Sequence, residues 1–125
     1  MGVVKLGDFG LASELEESCT KRQDVFGTSL YMAPEVYEEG AVLKSDVWSL
    51  GISVIEMAEG RNPFAGMTSA KIMSQVVSKS PPSLTSSEWS SDLVDFVKCC
   101  LEKGVNERCS VDDLLKVVVE IRRND

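Results

Sequence analysis

The stretch "KSDVWSLGISVIEMAEG", residues 44 to 60, constrains the fold more than any other part of the chain. Ser45 suits an N-cap, Asp46 sits at the positive end of a helix dipole, and Gly60 suits the position just past the last turn. Between these ends Val47, Trp48, Leu50, Ile52, Val54, Ile55, Met57 and Ala58 cover nearly every face. A helix with no polar face needs neighbours on all sides, because each large apolar side chain left in water forfeits about 1.5–3 kcal/mol. The expected architecture is mainly α, with this helix, 46–58, in the core.

The sequence supplies those neighbours. "PEVYEEG", 34–40, places proline at a first helical position and glycine just past an end. Ile72, Met73, Val76 and Val77 form one helical stripe after Thr68 or Ser69, and Leu93, Phe96, Val97, Cys100 and Leu101 form another after Ser90 or Ser91. Ser110 with Asp113 gives a capping-box pattern before Leu114, Leu115, Val118 and Ile121. "KSPPSLTSSEW", 79–89, is a proline-rich loop. At the other end Val3, Val4 and Leu6 read as a brief strand that stops in a turn at Asp8-Phe9-Gly10. From Ala12 to Leu30 there is neither helical nor strand period, so an exposed loop is expected there. At 125 residues, 43% of them hydrophobic, the chain is one domain by size.

Composition narrows the function. The net charge of −7, with acidic clusters at Glu14, Glu16, Glu17 and at Glu35, Glu38, Glu39, disfavours nucleic acid and anionic membrane as partners. There is no histidine, which removes a Ser-His-Asp triad, a Cys-His pair and a His-ligated zinc. Cys19, Cys99, Cys100 and Cys109 show no CxxC spacing and read as reduced thiols in an intracellular protein. No apolar run approaches the roughly 20 residues of a membrane span, and the first residues lack the pattern of a signal peptide. A cytoplasmic or nuclear location is expected.

Three signatures stand in order: Asp8-Phe9-Gly10, then "GTSLYMAPE" at 27–35, then "SDVWSLGI" at 45–52. The series resembles the protein kinase family, whose activation segment runs from Asp-Phe-Gly to Ala-Pro-Glu. "CLEKGVNERCSVDDLL", 100–115, is similar to the closing kinase pattern of an arginine before a last helix. Within the family, "GTSLYMAPEV" and "DVWSLGISVIEMAEGRNPF" look most like the MAP kinase kinases and the sterile-type kinases, which favours serine/threonine or dual specificity. The fold implied is a kinase-like C-terminal lobe: residues 8–35 as activation segment and 45–125 as the helical lobe, making 1–125 a partial kinase domain.

The resemblance carries roles to individual residues. Asp8 would ligate the magnesium that bridges ATP phosphates, a hard oxygen donor for a hard cation, with Phe9 and Gly10 completing that cofactor-binding loop. Thr28 would hydrogen-bond the catalytic aspartate and lysine, and Thr28, Tyr31 and Met32 would line the pocket for the residue after the phosphorylated hydroxyl. Glu35 would form a buried ion pair with Arg108, and Asp46 would accept hydrogen bonds from the catalytic-loop backbone. Thr20 matches the first site of the paired phosphorylation pattern of MAP kinase kinases, and Ser18 lies nearby. Asp24 stands where a phosphorylatable residue is common, and carries about one negative charge against the 1.5–2 of a phosphate. Cys109 replaces the usual proline after Arg108.

The 125 residues hold no glycine-rich phosphate loop, no strand lysine with its helix glutamate, and no catalytic loop with its aspartate and asparagine. Phosphoryl transfer needs those parts positioned together, so this chain alone is expected to be inactive and to bind ATP and magnesium weakly at best. Its expected partners are a protein substrate or a partner kinase. The alternatives are a non-catalytic interaction module derived from a kinase lobe, or a partial gene product.

Overall fold

In a computed structural model that describes residues 2–6 and 29–123, five α-helices follow a short 3-10 turn at Ser29–Tyr31. They are α1 (Pro34–Glu38), α2 (Ser45–Glu59), α3 (Ser69–Ser78), α4 (Ser91–Cys100) and α5 (Val111–Arg123). Residues 2–6, where a brief strand was expected, form no strand, and Val3, Val4 and Leu6 are exposed. A single extended segment gains a ladder only from a partner strand.

The helix ends follow local chemistry. Thr68 and Ser90 accept hydrogen bonds from the backbone N–H groups of Lys71 and Leu93, capping α3 and α4. The Ser110 hydroxyl accepts from the Asp113 N–H at 3.1 Å while the Asp113 carboxylate accepts from the Ser110 N–H at 3.0 Å, a reciprocal box at the head of α5. Gly60 closes α2 at φ 77°, a left-handed conformation that glycine adopts without steric cost. Ser45 does not cap α2. The capping position belongs to Lys44, and the Ser45 hydroxyl is directed instead to the Glu35 carboxylate.

Val47, Trp48, Ile52 and Ile55 of α2 form the middle of the core, against Val97, Cys100 and Leu101 at the end of α4. Ile72 and Val76 of α3, Leu114 of α5, Ala33 and Phe64 complete it. Helices α2 and α4 touch so closely at Gly51 that a Cβ there would stand 2.7 Å from the Cys100 Cβ and 2.8 Å from Leu101 Cδ2. The expectation that α2 is buried all round holds for one side only. Leu50 and Met57 are 42% and 74% exposed, because the described helices gather on the face of Trp48 and Ile52.

The cysteines also depart from expectation. Cys99 and Cys109 are joined as a disulfide, their Cα atoms 5.5 Å apart, while Cys100 is a free thiol buried in the core. The turn after α4 doubles the chain back, so the Cys109 N–H donates to the Cys99 carbonyl at 3.3 Å and the two side chains meet across a sequence separation of 10. Nothing in the linear spacing marks this pair.

Candidate functional site

Arg108 lies 1% exposed on the segment between α4 and α5, and its guanidinium finds an acceptor for each of its five N–H groups. Nη1 donates to Glu35 Oε2 and Nη2 to Glu35 Oε1, both at 2.8 Å, a bidentate pair. The Nε–H goes to the Glu102 carbonyl at 2.8 Å, and the remaining donors go to the carbonyls of Lys44 at 2.9 Å and Lys103 at 3.4 Å. The cation also sits 5.4 Å from the centroid of the buried Trp48 ring.

Glu35, on the first turn of α1, is satisfied in the same degree. Its Oε2 accepts a second bond, at 2.7 Å, from the Ser45 hydroxyl, which in turn accepts from the Val42 N–H at 2.9 Å. Burial pushes the Glu35 carboxyl pKa up, but the hydrogen bonds from Arg108 and Ser45 and the arginine charge outweigh it and hold the group below its ordinary value. Three parts of the chain, α1, the head of α2 and the loop before α5, are thus tied to one carboxylate.

A second network surrounds Tyr31. Its hydroxyl donates to Glu56 Oε1 at 2.7 Å, the Asn62 side-chain amide donates to the same oxygen at 2.8 Å, and the Ser49 hydroxyl donates to the Tyr31 carbonyl at 2.7 Å. The hydrogen bond to Glu56 raises the Tyr31 pKa, and the bonds from Tyr31 and Asn62 lower that of Glu56. These contacts fix the 3-10 turn against α2, with Met32 half-buried beside it. Between α1, the head of α2 and the loop that carries Lys103 and Glu107 opens a cleft of about 660 Å³.

Of the site residues expected from sequence, Tyr31, Met32, Glu35, Asp46 and Arg108 are described. Glu35 and Arg108 are brought together, Tyr31 is bonded to Ser49 and Glu56 of α2 with the half-buried Met32 next to it in the chain, and Asp46 is exposed in the first turn of α2. Asp8, Phe9, Gly10, Ser18, Thr20, Asp24 and Thr28 lie outside the described residues. Among the described residues no group of three or more His, Cys, Asp or Glu side chains is placed to hold a metal ion, and no helix is long and apolar enough to cross a membrane.

Sequence reasoning missed Ser45 as a ligand of Glu35, Trp48 as the ring beside Arg108, and Glu56 with Asn62 as the anchor of Tyr31. Only Glu56 left a signal. It is the sole charged residue between Val47 and Ala58, and a lone carboxylate inside an apolar helix calls for a polar partner.

Residues 1–119 match the family model described as "Protein kinase domain". The chain is 47% identical over 109 residues to serine/threonine-protein kinase cst-1 of Caenorhabditis briggsae, covering 86% of this chain and 22% of that protein. It is 41% identical over 117 residues to serine/threonine-protein kinase hippo of Drosophila melanogaster, covering 92% of this chain and 18% of that one. Serine/threonine-protein kinase KIC1 of Saccharomyces cerevisiae is 40% identical over 117 residues, of which the match spans 11% of the relative. The chain therefore spans about a fifth or less of the length of these curated relatives.

Proposed function

The chain belongs to the protein kinase family, and on that premise we propose that it is the part of a serine/threonine kinase domain carrying the magnesium-binding loop, the activation segment and the helical base. The observation that carries this reading is the joint at Glu35. It ties the end of "GTSLYMAPE" to the loop ahead of the last helix, so that the segment on which a protein substrate would lie is anchored to the core through Arg108.

Protein kinases as a family use ATP and magnesium. When bound, magnesium neutralises the charge that develops on the transferred phosphoryl group. Asp8 offers the carboxylate oxygen such a cation prefers, on chemistry alone, since its placement is not described. Tyr31, held against α2 by Glu56 and Ser49, and the adjacent Met32 would form the floor under the residue next to the accepting hydroxyl. Glu35 and Arg108 perform no chemistry. Their work is positional, since a displacement of even 1 Å at the reacting groups is costly.

In this proposal the accepting groups are serine and threonine hydroxyls on proteins, and the site of action is intracellular. The test is reconstitution. The segment of cst-1 that precedes its matched region is fused ahead of this chain, and transfer of labelled γ-phosphate to serine-, threonine- and tyrosine-containing peptides is measured. Label on serine or threonine supports the proposal, label on tyrosine alone refutes the specificity, and a folded fusion without transfer refutes the function.

A further inference from the structure

The segment that cradles Arg108 is itself closed by sulfur. Cys99, in the last turn of α4, and Cys109, immediately after Arg108, bracket Glu102 and Lys103, whose carbonyls accept two of the arginine's N–H groups. Their Cα separation of 5.5 Å is in the middle of the range a disulfide spans without backbone movement. The bond between the Cys109 N–H and the Cys99 carbonyl sets that separation independently of the sulfurs. We infer that Cys99 and Cys109 form a reversible redox latch, whose closing locks the cradle of Arg108 and thereby the joint to Glu35.

Three cysteines lie within this region, and the structure selects two. Cys99 and Cys109 are half-buried and open to a small oxidant. Cys100 is fully buried against Gly51 and its thiol is pushed up to about 11, chiefly by burial, so it carries almost no thiolate at neutral pH. Its neighbour Cys99 points about 100° away around the helix, and adjacent residues on a helix do not face each other. Among the described residues the free competitor, Cys100, is therefore both inaccessible and unreactive. In a reducing compartment a disulfide is the exception, and those that form there are mostly transient and sensing.

The step balances with a peroxide as oxidant. One thiolate attacks a peroxide oxygen, the O–O bond breaks, and the cysteine becomes a sulfenic acid while water leaves. The second thiol then attacks that sulfur, the S–O bond breaks, a second water leaves, and the S–S bond forms. Reduction runs through a thiol such as glutathione, which forms a mixed disulfide with one sulfur and is displaced by a second thiol, returning two electrons. The closed ring removes freedom from the segment between α4 and α5, and the carbonyls facing Arg108 are held within it.

The inference rests on the geometry of the turn that carries Cys99 and Cys109, shares with the functional reading only the intracellular setting, and is tested without phosphoryl transfer. The purified chain is treated with hydrogen peroxide, alkylated without denaturation, digested with trypsin and analysed by mass spectrometry. The expected product is one intramolecular link between peptides 99–103 and 109–116, with Cys100 alkylated only after unfolding, and full reversal by excess reduced glutathione. Hydrogen exchange at the amides of Arg108 and Cys109 is expected to slow roughly tenfold or more on closing. Cys109→Ser abolishes both effects, and Cys99→Ser repeats the result independently. A Cys99–Cys100 or intermolecular link, resistance to glutathione, or equal exchange in the oxidised and reduced wild-type chain overturns the inference.

Discussion

Arg108 and Glu35, separated by 73 positions in sequence, meet through two parallel hydrogen bonds of 2.8 Å, with side chains 0% and 8% exposed. The pair is stabilising only as a pair. Either member alone would leave a buried charge without its counter-ion.

Removing one partner is therefore expected to be costly. Arg108→Ala or Glu35→Ala should lower the unfolding free energy by about 3–5 kcal/mol in denaturant titration. Arg108→Lys should rescue only part of the loss, because a point charge cannot serve the five acceptors that the fork reaches. A loss under about 1 kcal/mol for Arg108→Ala would show that water replaces the pair at little cost.

Acid should weaken the same joint. Glu35 is held below its ordinary value of 4.5, so its contribution is complete above that value and is lost as pH falls through the lower, folded-state value. The stability advantage of the wild-type chain over Glu35→Gln should be constant near neutrality and shrink below about pH 4.5. Asp113 and Glu56 are also depressed, but both are present in each protein, so the difference isolates Glu35. An advantage unchanged at pH 3 would contradict the assignment.

Close contact of α2 with α4 depends on Gly51. Gly51→Ala would set a methyl group 2.7 Å from the Cys100 Cβ and should destabilise by about 1–3 kcal/mol, since both atoms belong to packed helices. Gly2→Ala, with no atom within 4 Å of the added carbon, is the neutral control.

The head of α5 rests on its capping box. Ser110→Ala removes the acceptor for the Asp113 N–H and should cost about 0.5–2 kcal/mol, read as fraying of α5 in hydrogen exchange before global unfolding. Uniform protection along α5 in the variant would show that Leu114 packing alone holds the helix start.

What was legible in the sequence, and what was not, divides along the reach of each signal. Helix starts at Thr68, Ser90 and Ser110 were readable because a cap acts within three residues. The exposure of Leu50 and Met57 was not, since hydrophobicity shows that a face wants cover and is silent on which elements supply it. The meeting of Cys99 with Cys109 depends on how the chain turns after α4, and the meeting of Glu35 with Arg108 on how α1 docks beside that turn. No periodicity encodes either. The kinase motifs reached across that gap as family resemblance, and they did so without pointing to Ser45, Trp48 or Glu56 as partners.

The central claim is that this chain supplies the magnesium-binding and substrate-bearing part of a serine/threonine kinase, and one comparison tests it most directly. Label transferred from γ-phosphate-labelled ATP to a basic protein substrate is measured for the chain alone, for its fusion to the preceding cst-1 segment, and for that fusion carrying Asp8→Ala. The account predicts transfer by the fusion only, lost by a hundredfold or more without the Asp8 carboxylate, a loss of roughly 3 kcal/mol or more in transition-state stabilisation. Equal transfer by the fusion with and without that carboxylate, or transfer by the chain alone, would contradict it.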